Sequence, residues 1–343
     1  MHGAGLFNTG DGKLIHLNGL GTDGWWSKLA LVMRSSVDNG ATWTKPKLVD
    51  PEHGDYISHM GMSRLQNGNI IFPCDAPGGT GFYTSEDNGE TWRYSTRNGK
   101  RKNILGSHAG VVQLKDGSLF ALGRGEQIDN RMPVSRSYDG GQTWGYYASE
   151  LPPVSGGQRI ILMRLNEGPL LFVGFTDTAD YQKVIVNRPR PRAMSKNGLT
   201  VTDAAGQERR IHGMFAAVSF DEGESWPHKK LISDFGTGKL LNGEAWTQNF
   251  IMDETHAEPL GYLAATQSPD NIIHMLSSGL HYQFNLEWIT EPMPASSQKK
   301  MTFVKGDQYP APNGFENGRG GVGMEFIFEQ APFKQCHAST IVE

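Results

Sequence analysis

The sequence predicts an all-β protein built as a β-propeller, and three observations carry that prediction. A box of the form Ser-x-Asp-x-Gly-x-(Thr/Ser)-Trp occurs four times, at residues 36–43, 85–92, 137–144 and 219–226. A second repeat, an apolar strand, a two-residue turn and another apolar strand, precedes each box and occurs once more without one. Its turns fall at Asp11-Gly12, Asn67-Gly68, Asp116-Gly117, Glu167-Gly168 and Asp270-Asn271. The composition, with 43 glycines in 343 residues and no long helical periodicity, suits many short strands joined by tight turns.

Each element follows from these repeats. In the box, the Asp side chain accepts hydrogen bonds from turn amides and the Gly permits a positive φ. The Trp then packs on the hairpin flank. The turns of the second repeat carry hairpin chemistry. Box Asp residues recur at 38, 87 and 139, spacings of 49 (87−38) and 52 (139−87). Two hairpins per interval make four antiparallel strands, the blade of a propeller. The units run over about 2–45, 58–93, 107–146, 157–226 and 257–290, and the fifth has no box. The fourth holds an insertion at about 179–212, rich in Arg, Pro, Asn and Gly, which reads as a long loop or lid between its hairpins.

The expected organisation is propeller blades over 1–290, a Pro-, Gly- and Ser-rich linker over 291–323, and strands over 324–343 that begin another blade or close the ring. The expectation is a fragment of a tandem protein, with about five blades present plus the start of another. A permuted ring completed by the C-terminal strands is the alternative. A net charge of −4 with scattered Lys and Arg gives no nucleic-acid footprint. No apolar run reaches membrane-spanning length, and the N-terminus has no signal-peptide profile. Cys74 and Cys336 form neither a disulfide framework nor a metal cluster, and no pattern calls for a cofactor.

On these boxes and blades, residues 1–290 resemble the sialidase (neuraminidase) superfamily, whose members carry Asp-box repeats on a six-bladed propeller. The last nine residues resemble that family's first-blade strand. The resemblance implies a six-bladed sialidase-type fold and an extracytoplasmic setting. It also implies a glycoside hydrolase acting on acidic, carboxylate-bearing oligosaccharide or polysaccharide in the manner of an exo-sialidase. The box is specific for the fold and weak for the activity, because related propellers include lyases and non-catalytic binders. The family's first-blade Arg-Ile-Pro motif is absent, and the corresponding strand carries His337 instead.

In such blades the start of the innermost strand and the end of the next strand share one rim. That rim collects His59 with Asp75, and His108 with Arg124, Glu126, Asp129 and Arg131. It also collects Arg159 with Asp177, then Tyr262, and the strand-opening His2 and His337. The resemblance makes Tyr262 the nucleophile, since sialidases use a tyrosine. Its proton-withdrawing partner is Glu244 or Glu258. Arg159, Arg124 and Arg131 are candidates to grip a substrate carboxylate, with Asp75 and Asp177 as further binding positions. Asp129 is a candidate acid, provided burial raises its pKa. His59 and His108 would suit proton transfer, including α-proton abstraction from a uronate in a lyase. Against each stands a bland reading: a packed strand-start tyrosine, loop ion pairs, hydrogen-bonded histidines. Trp25-Trp26 suit sugar stacking or packing under a loop equally.

Overall fold

A computed structural model describes residues 2–21, 29–49, 57–58, 61–76, 79–94, 105–154, 158–176, 198–236, 238–243, 247, 249–277, 279–296 and 323–326. The chain divides into two compact units, one within residues 1–149 and one within 150–336. The first contains three propeller blades. The first blade is β1 (His2–Asn8), β2 (Leu14–Leu20), β3 (Ala30–Ser36) and β4 (Lys47–Leu48), hydrogen-bonded in that order. The second has a first strand in two pieces, β5 (Ile57–Ser58) and β6 (Ser63–Arg64), both paired to β7 (Ile70–Ala76), then β8 (Gly79–Ser85) and β9 (Arg93–Tyr94). The third is β10 (Ser107–Gln113), β11 (Leu119–Arg124), β12 (Pro133–Ser137) and β13 (Gly145–Ala148).

The second unit opens with β14 (Gln158–Arg159). Its first blade joins β15 (Ile161–Arg164) and β16 (Leu170–Phe175) to β19 (Met214–Ser219) and β20 (His228–Leu231). Between β16 and β19 lies a two-stranded sheet, β17 (Leu199–Thr202) with β18 (Glu208–Ile211). The described end of the insertion is therefore a hairpin rather than a loop. Asp203 closes its turn by accepting from the Ala205 and Gln207 amides, and Arg209 pairs with that carboxylate at 2.9 Å. After β21 (Lys239–Asn242), β22 (Asn249–Met252) and β23 (Gly261–Tyr262) comes the last blade. It is β24 (Ala264–Gln267), β25 (Ile273–Leu276) and β26 (Leu280–Phe284), followed by a short helix α1 (Leu286–Thr290), with β27 (Gly323–Phe326) as the outermost strand. The sequence did not announce α1. Asn285 caps it by accepting from the Trp288 amide, and the Lys230 ammonium donates to the Trp288 carbonyl at 2.6 Å. Residues just after α1 dock back on the insertion hairpin, where Arg209 donates to the Pro294 carbonyl at 2.7 Å.

The four boxes fold alike. Asn39, Asn88, Gly140 and Glu222 have φ of 56°, 56°, 71° and 62°, and the glycine that follows each lies between 85° and 92°. The box Ser hydroxyl donates to the Asp and accepts from that glycine's N–H, as in Ser137 to Asp139 at 2.8 Å and Gly141 to Ser137 at 2.8 Å. The Thr or Ser before the Trp returns both its N–H and its hydroxyl to the same carboxylate. These bonds hold Asp38, Asp87 and Asp139 at a pKa of about 2. The Trp reaches further than its own hairpin. Trp92 donates to the Met33 sulfur of the preceding blade at 3.3 Å, and Trp144 stacks on Phe82 of the preceding blade at 5.1 Å.

Strand alternation builds the core. Ile70, Phe72 and Cys74 face Ile15, Leu17, Leu31 and Met33, while Ile71 on the opposite face of β7 meets Val111, Leu119 and Ala121. A repeated side-chain latch joins neighbouring turns. Gln113 accepts the Gln66 amide at 2.6 Å in the first unit, and Gln267 accepts the Asn166 amide at 2.7 Å in the second.

Candidate functional site

In the first unit, the rim brings Asp75, His108 and Arg124 together. A register break between Ser107 and Gly110 and a φ of +54° at His108 turn the start of β10 towards the end of β7. Asp75 accepts the His108 N–H at 2.7 Å and ion-pairs with His108 Nδ1. The Thr80 hydroxyl donates to the same carboxylate at 3.4 Å or to the Gly106 carbonyl at 2.9 Å. Burial pushes the Asp75 carboxyl up, but the His108 charge and hydrogen bonds, aided by Arg124, outweigh it and leave the group below its ordinary value. His108 itself is 5% exposed. The result is a buried His–Asp dyad whose carboxylate fixes Nδ1, the arrangement that leaves Nε2 for proton transfer.

The loop beyond β11 is organised differently. Ile128 and Arg131 exchange both backbone hydrogen bonds, so Asp129 and Asn130, at φ of 50° and 59°, form the tip of a two-residue turn. Asp129 and Arg131 are exposed and Glu126 half-buried. The burial that a raised Asp129 pKa requires is not present there. Cys74, beside the dyad in sequence, is buried; burial and then the Asp75 charge push its thiol well above the ordinary value.

In the second unit, β14 and β23 form a two-residue parallel pair with Gln158 opposite Gly261 and Arg159 opposite Tyr262. The Gln158 amide donates to the Pro259 carbonyl at 3.1 Å, and Arg159 Nε donates to the Leu263 carbonyl at 2.7 Å. The guanidinium thereby sits 5.9 Å from the centre of the Tyr262 ring. Arg159 is 3% exposed and Tyr262 half-buried. Each opens the innermost strand of its blade, β15 or β24.

Glu258 lies beside Gly261, the residue before Tyr262. A methyl group at Gly261 would come within 3.4 Å of its Oε1. The Glu258 side chain is fully buried and receives the Tyr282 hydroxyl at 2.7 Å and the Ser277 hydroxyl at 2.9 Å, with Thr247 at 3.2 Å. Burial raises its pKa to about 7 against the pull of these three donors. Its phenolic partner is thus Tyr282. That residue sits between Leu280 and Phe284 in alternation on the core face of β26, where a hydroxyl needs an acceptor. Sequence reasoning missed Tyr282, Ser277, Thr247 and Thr80. The one available signal was polar residues at core-facing strand positions.

A second Asp–His pair also escaped it. His256 Nδ1 lies 3.1 Å from Asp253, and its ring lies 5.5 Å from that of His212, across from the insertion hairpin. His59, Asp177, Glu244, His337, Cys336 and Trp25-Trp26 lie outside the described residues, as does the side chain of His2. Among the described residues, no group of three or more His, Cys, Asp or Glu is placed to hold a metal ion, and no helix is long and apolar enough to cross a membrane.

Comparison with known proteins sets this geometry in context. No curated protein matches the chain in sequence. A crystal structure from Dyadobacter fermentans of unknown function is similar at 17% identity, covering 85% of this chain and 73% of that one, with a TM-score of 0.48. The intramolecular trans-sialidase of Ruminococcus gnavus is similar at 18% identity and a TM-score of 0.48; the match covers 77% of this chain and 52% of that one. The α-L-arabinanase of Penicillium chrysogenum, solved with arabinobiose, gives 14% identity, 82% and 77% coverage, and a TM-score of 0.51. At such identity a likeness concerns the fold alone, and of these three the arabinanase match is the one with a TM-score above 0.5. The profile of the BNR repeat-like domain matches residues 4–275. With four boxes that fold alike inside that span, the chain belongs to the BNR repeat-like domain family.

Proposed function

We propose that this protein is a glycoside hydrolase acting on acidic, carboxylate-bearing carbohydrate, in the manner of an exo-sialidase, with its chemistry centred on Arg159 and Tyr262. One observation carries the reading: the parallel pairing of β14 with β23 sets a guanidinium 5.9 Å from the ring of a half-buried tyrosine at the opening of two blades. Arg159, its Nε anchored on the Leu263 carbonyl, meets the substrate carboxylate. Tyr262 is the nucleophile. Glu258, with a pKa of about 7, is the proton-accepting group at neutral pH.

The His108–Asp75 dyad favours a second reading, a polysaccharide lyase in which His108 Nε2 removes the proton α to a uronate carboxylate. One experiment separates the two. Sialosides and uronate oligosaccharides are screened for new reducing ends and for the ultraviolet absorbance of an unsaturated uronate. Hydrolysis predicts reducing ends without that absorbance. It also predicts a fall in kcat of about two orders of magnitude or more in Tyr262→Phe, with His108→Ala active. Elimination predicts the absorbance and the reverse mutant pattern. Unimpaired hydrolysis in Tyr262→Phe combined with Arg159→Ala removes the proposed site, and glycan binding without product removes both reactions.

A further inference from the structure

We propose that His274 and His281, on the last blade and on the sheet face opposite the core residue Tyr282, form a binding site for a divalent transition-metal ion of the Cu²⁺, Ni²⁺ or Zn²⁺ class. The two residues lie on neighbouring strands. His274 on β25 is paired with Gln283 and His281 on β26 with Leu276, so they meet on a diagonal of one sheet face. Both are half-buried, on the opposite face from the buried Ile273, Met275, Leu280 and Tyr282. His274 Nδ1 and His281 Nε2 are 3.2 Å apart, with ring centres 5.4 Å apart and planes at 17°. Two imidazoles so placed are edge to edge rather than face to face, because the nitrogens are much closer than the centres. Their nitrogens therefore face each other.

That separation is what a metal asks of two imidazoles. With metal–nitrogen bonds of 2.0–2.1 Å, two ligands of a tetrahedral ion lie about 3.3 Å apart. In the metal-free pair, one ring donates its N–H to the other. Shifting that proton to the donor's other ring nitrogen gives two facing lone pairs, with no net proton released and no redox change. Turning each ring by roughly 35°, the angle that bonds of this length and a separation near 3.3 Å require, converges the lone pairs on one ion, and water completes its coordination. The Asp270 carboxylate interacts electrostatically with His274. Imidazole suits copper, nickel and zinc, and affinity should follow the order Cu²⁺ above Ni²⁺ above Co²⁺.

The test is titration of chelator-treated full chain with Ni²⁺ and Zn²⁺ by calorimetry, alongside His274→Ala and His281→Ala. The expected result is one saturable site per chain that either substitution weakens by at least about tenfold, the loss that removal of even an outer-shell partner brings. Circular dichroism and the thermal midpoint of each variant report whether it is folded. His212→Ala, on the other histidine pair, should leave the affinity unchanged. Absence of saturable binding overturns the proposal, as does binding that survives in the folded His274→Ala/His281→Ala double variant or is lost in His212→Ala.

Discussion

Replacing Glu258 by Gln should remove the loss of stability that this carboxyl imposes as pH rises through the neutral range. The carboxyl is fully buried, and burial lifts its pKa from 4.5 to about 7 despite three hydroxyl donors. An acid whose folded pKa exceeds its unfolded one imposes no penalty below pH 4.5, where both states are protonated. The penalty grows as pH rises, because the unfolded chain ionises first, and levels off above pH 7. A difference of about 2.5 between folded and unfolded pKa corresponds to roughly 3 kcal/mol. Gln fills the same space and does not ionise. Its amide presents one acceptor in place of two, so the Tyr282 hydroxyl must turn to accept, a fixed cost of about 1 kcal/mol at every pH. Urea unfolding followed by tryptophan fluorescence at pH 4.5, 6, 7 and 8 measures the outcome. The variant should start slightly less stable than wild type at pH 4.5 and overtake it by pH 8, with a relative gain of about 3 kcal/mol. Parallel curves for the two proteins across this range would refute the reasoning, because Glu258 would then be ionised inside the fold at no cost.

Two further outcomes follow from the same structure. The box carboxylates Asp38, Asp87 and Asp139, at a pKa of about 2 when folded, contribute stability that is complete above their unfolded value near 4 and lost as pH falls towards 2. Thermal midpoints should drop steeply over that interval, and the difference between wild type and Asp139→Asn at pH 6 should vanish near pH 2. Gly123→Ala should destabilise by about 3 kcal/mol or more, because its Cβ would lie 1.8 Å from the Leu105 carbonyl oxygen, a backbone atom with no rotamer to escape into. A soluble, unshifted unfolding transition in that variant would mean the segment at 105–109 can move.

What could be read from the sequence was whatever is decided within a few residues. A box closes all its hydrogen bonds between Ser137 and Thr143, so its composition states its geometry. The partners of Trp92 and Trp144 could not be read that way, because Met33 and Phe82 are 59 and 62 residues away (92−33 and 144−82). The same holds for the Gln113 and Gln267 latches, and for α1, whose capping lysine arrives from β20. The insertion read as a loop because it is rich in Arg, Pro, Asn and Gly, although β17 itself is Leu-Thr-Val-Thr. Its hairpin is secured by Asp203, Arg209 and contacts near residue 294. At the site, strand openings at 108, 159 and 262 were legible as equivalent positions of a repeat. The two-residue parallel pair that sets Arg159 beside Tyr262 was not, since nothing local distinguishes a parallel from an antiparallel neighbour.

Repetition and chemistry divide between the blades in a way that bears on where function resides. Four blades carry a box and keep its carboxylate at the surface, ionised down to low pH by serine, threonine and backbone donors. The last blade has no box. Its ionisable group is Glu258, packed inside, fed by Ser277 and Tyr282 from its own strands and turn, and poised to titrate near neutrality. Both kinds of carboxyl accept from hydroxyls, but the box carboxylates also accept from backbone N–H groups, and burial is the largest cause of the raised pKa of Glu258. A stabilising device that works only in water offers no proton near pH 7, whereas a fully buried carboxyl with a pKa of about 7 does. The departure from the repeat is therefore the place where the blade gives up stability at neutral pH, and a cost of that size fits proton chemistry better than packing, which Gln at 258 would serve at a smaller one.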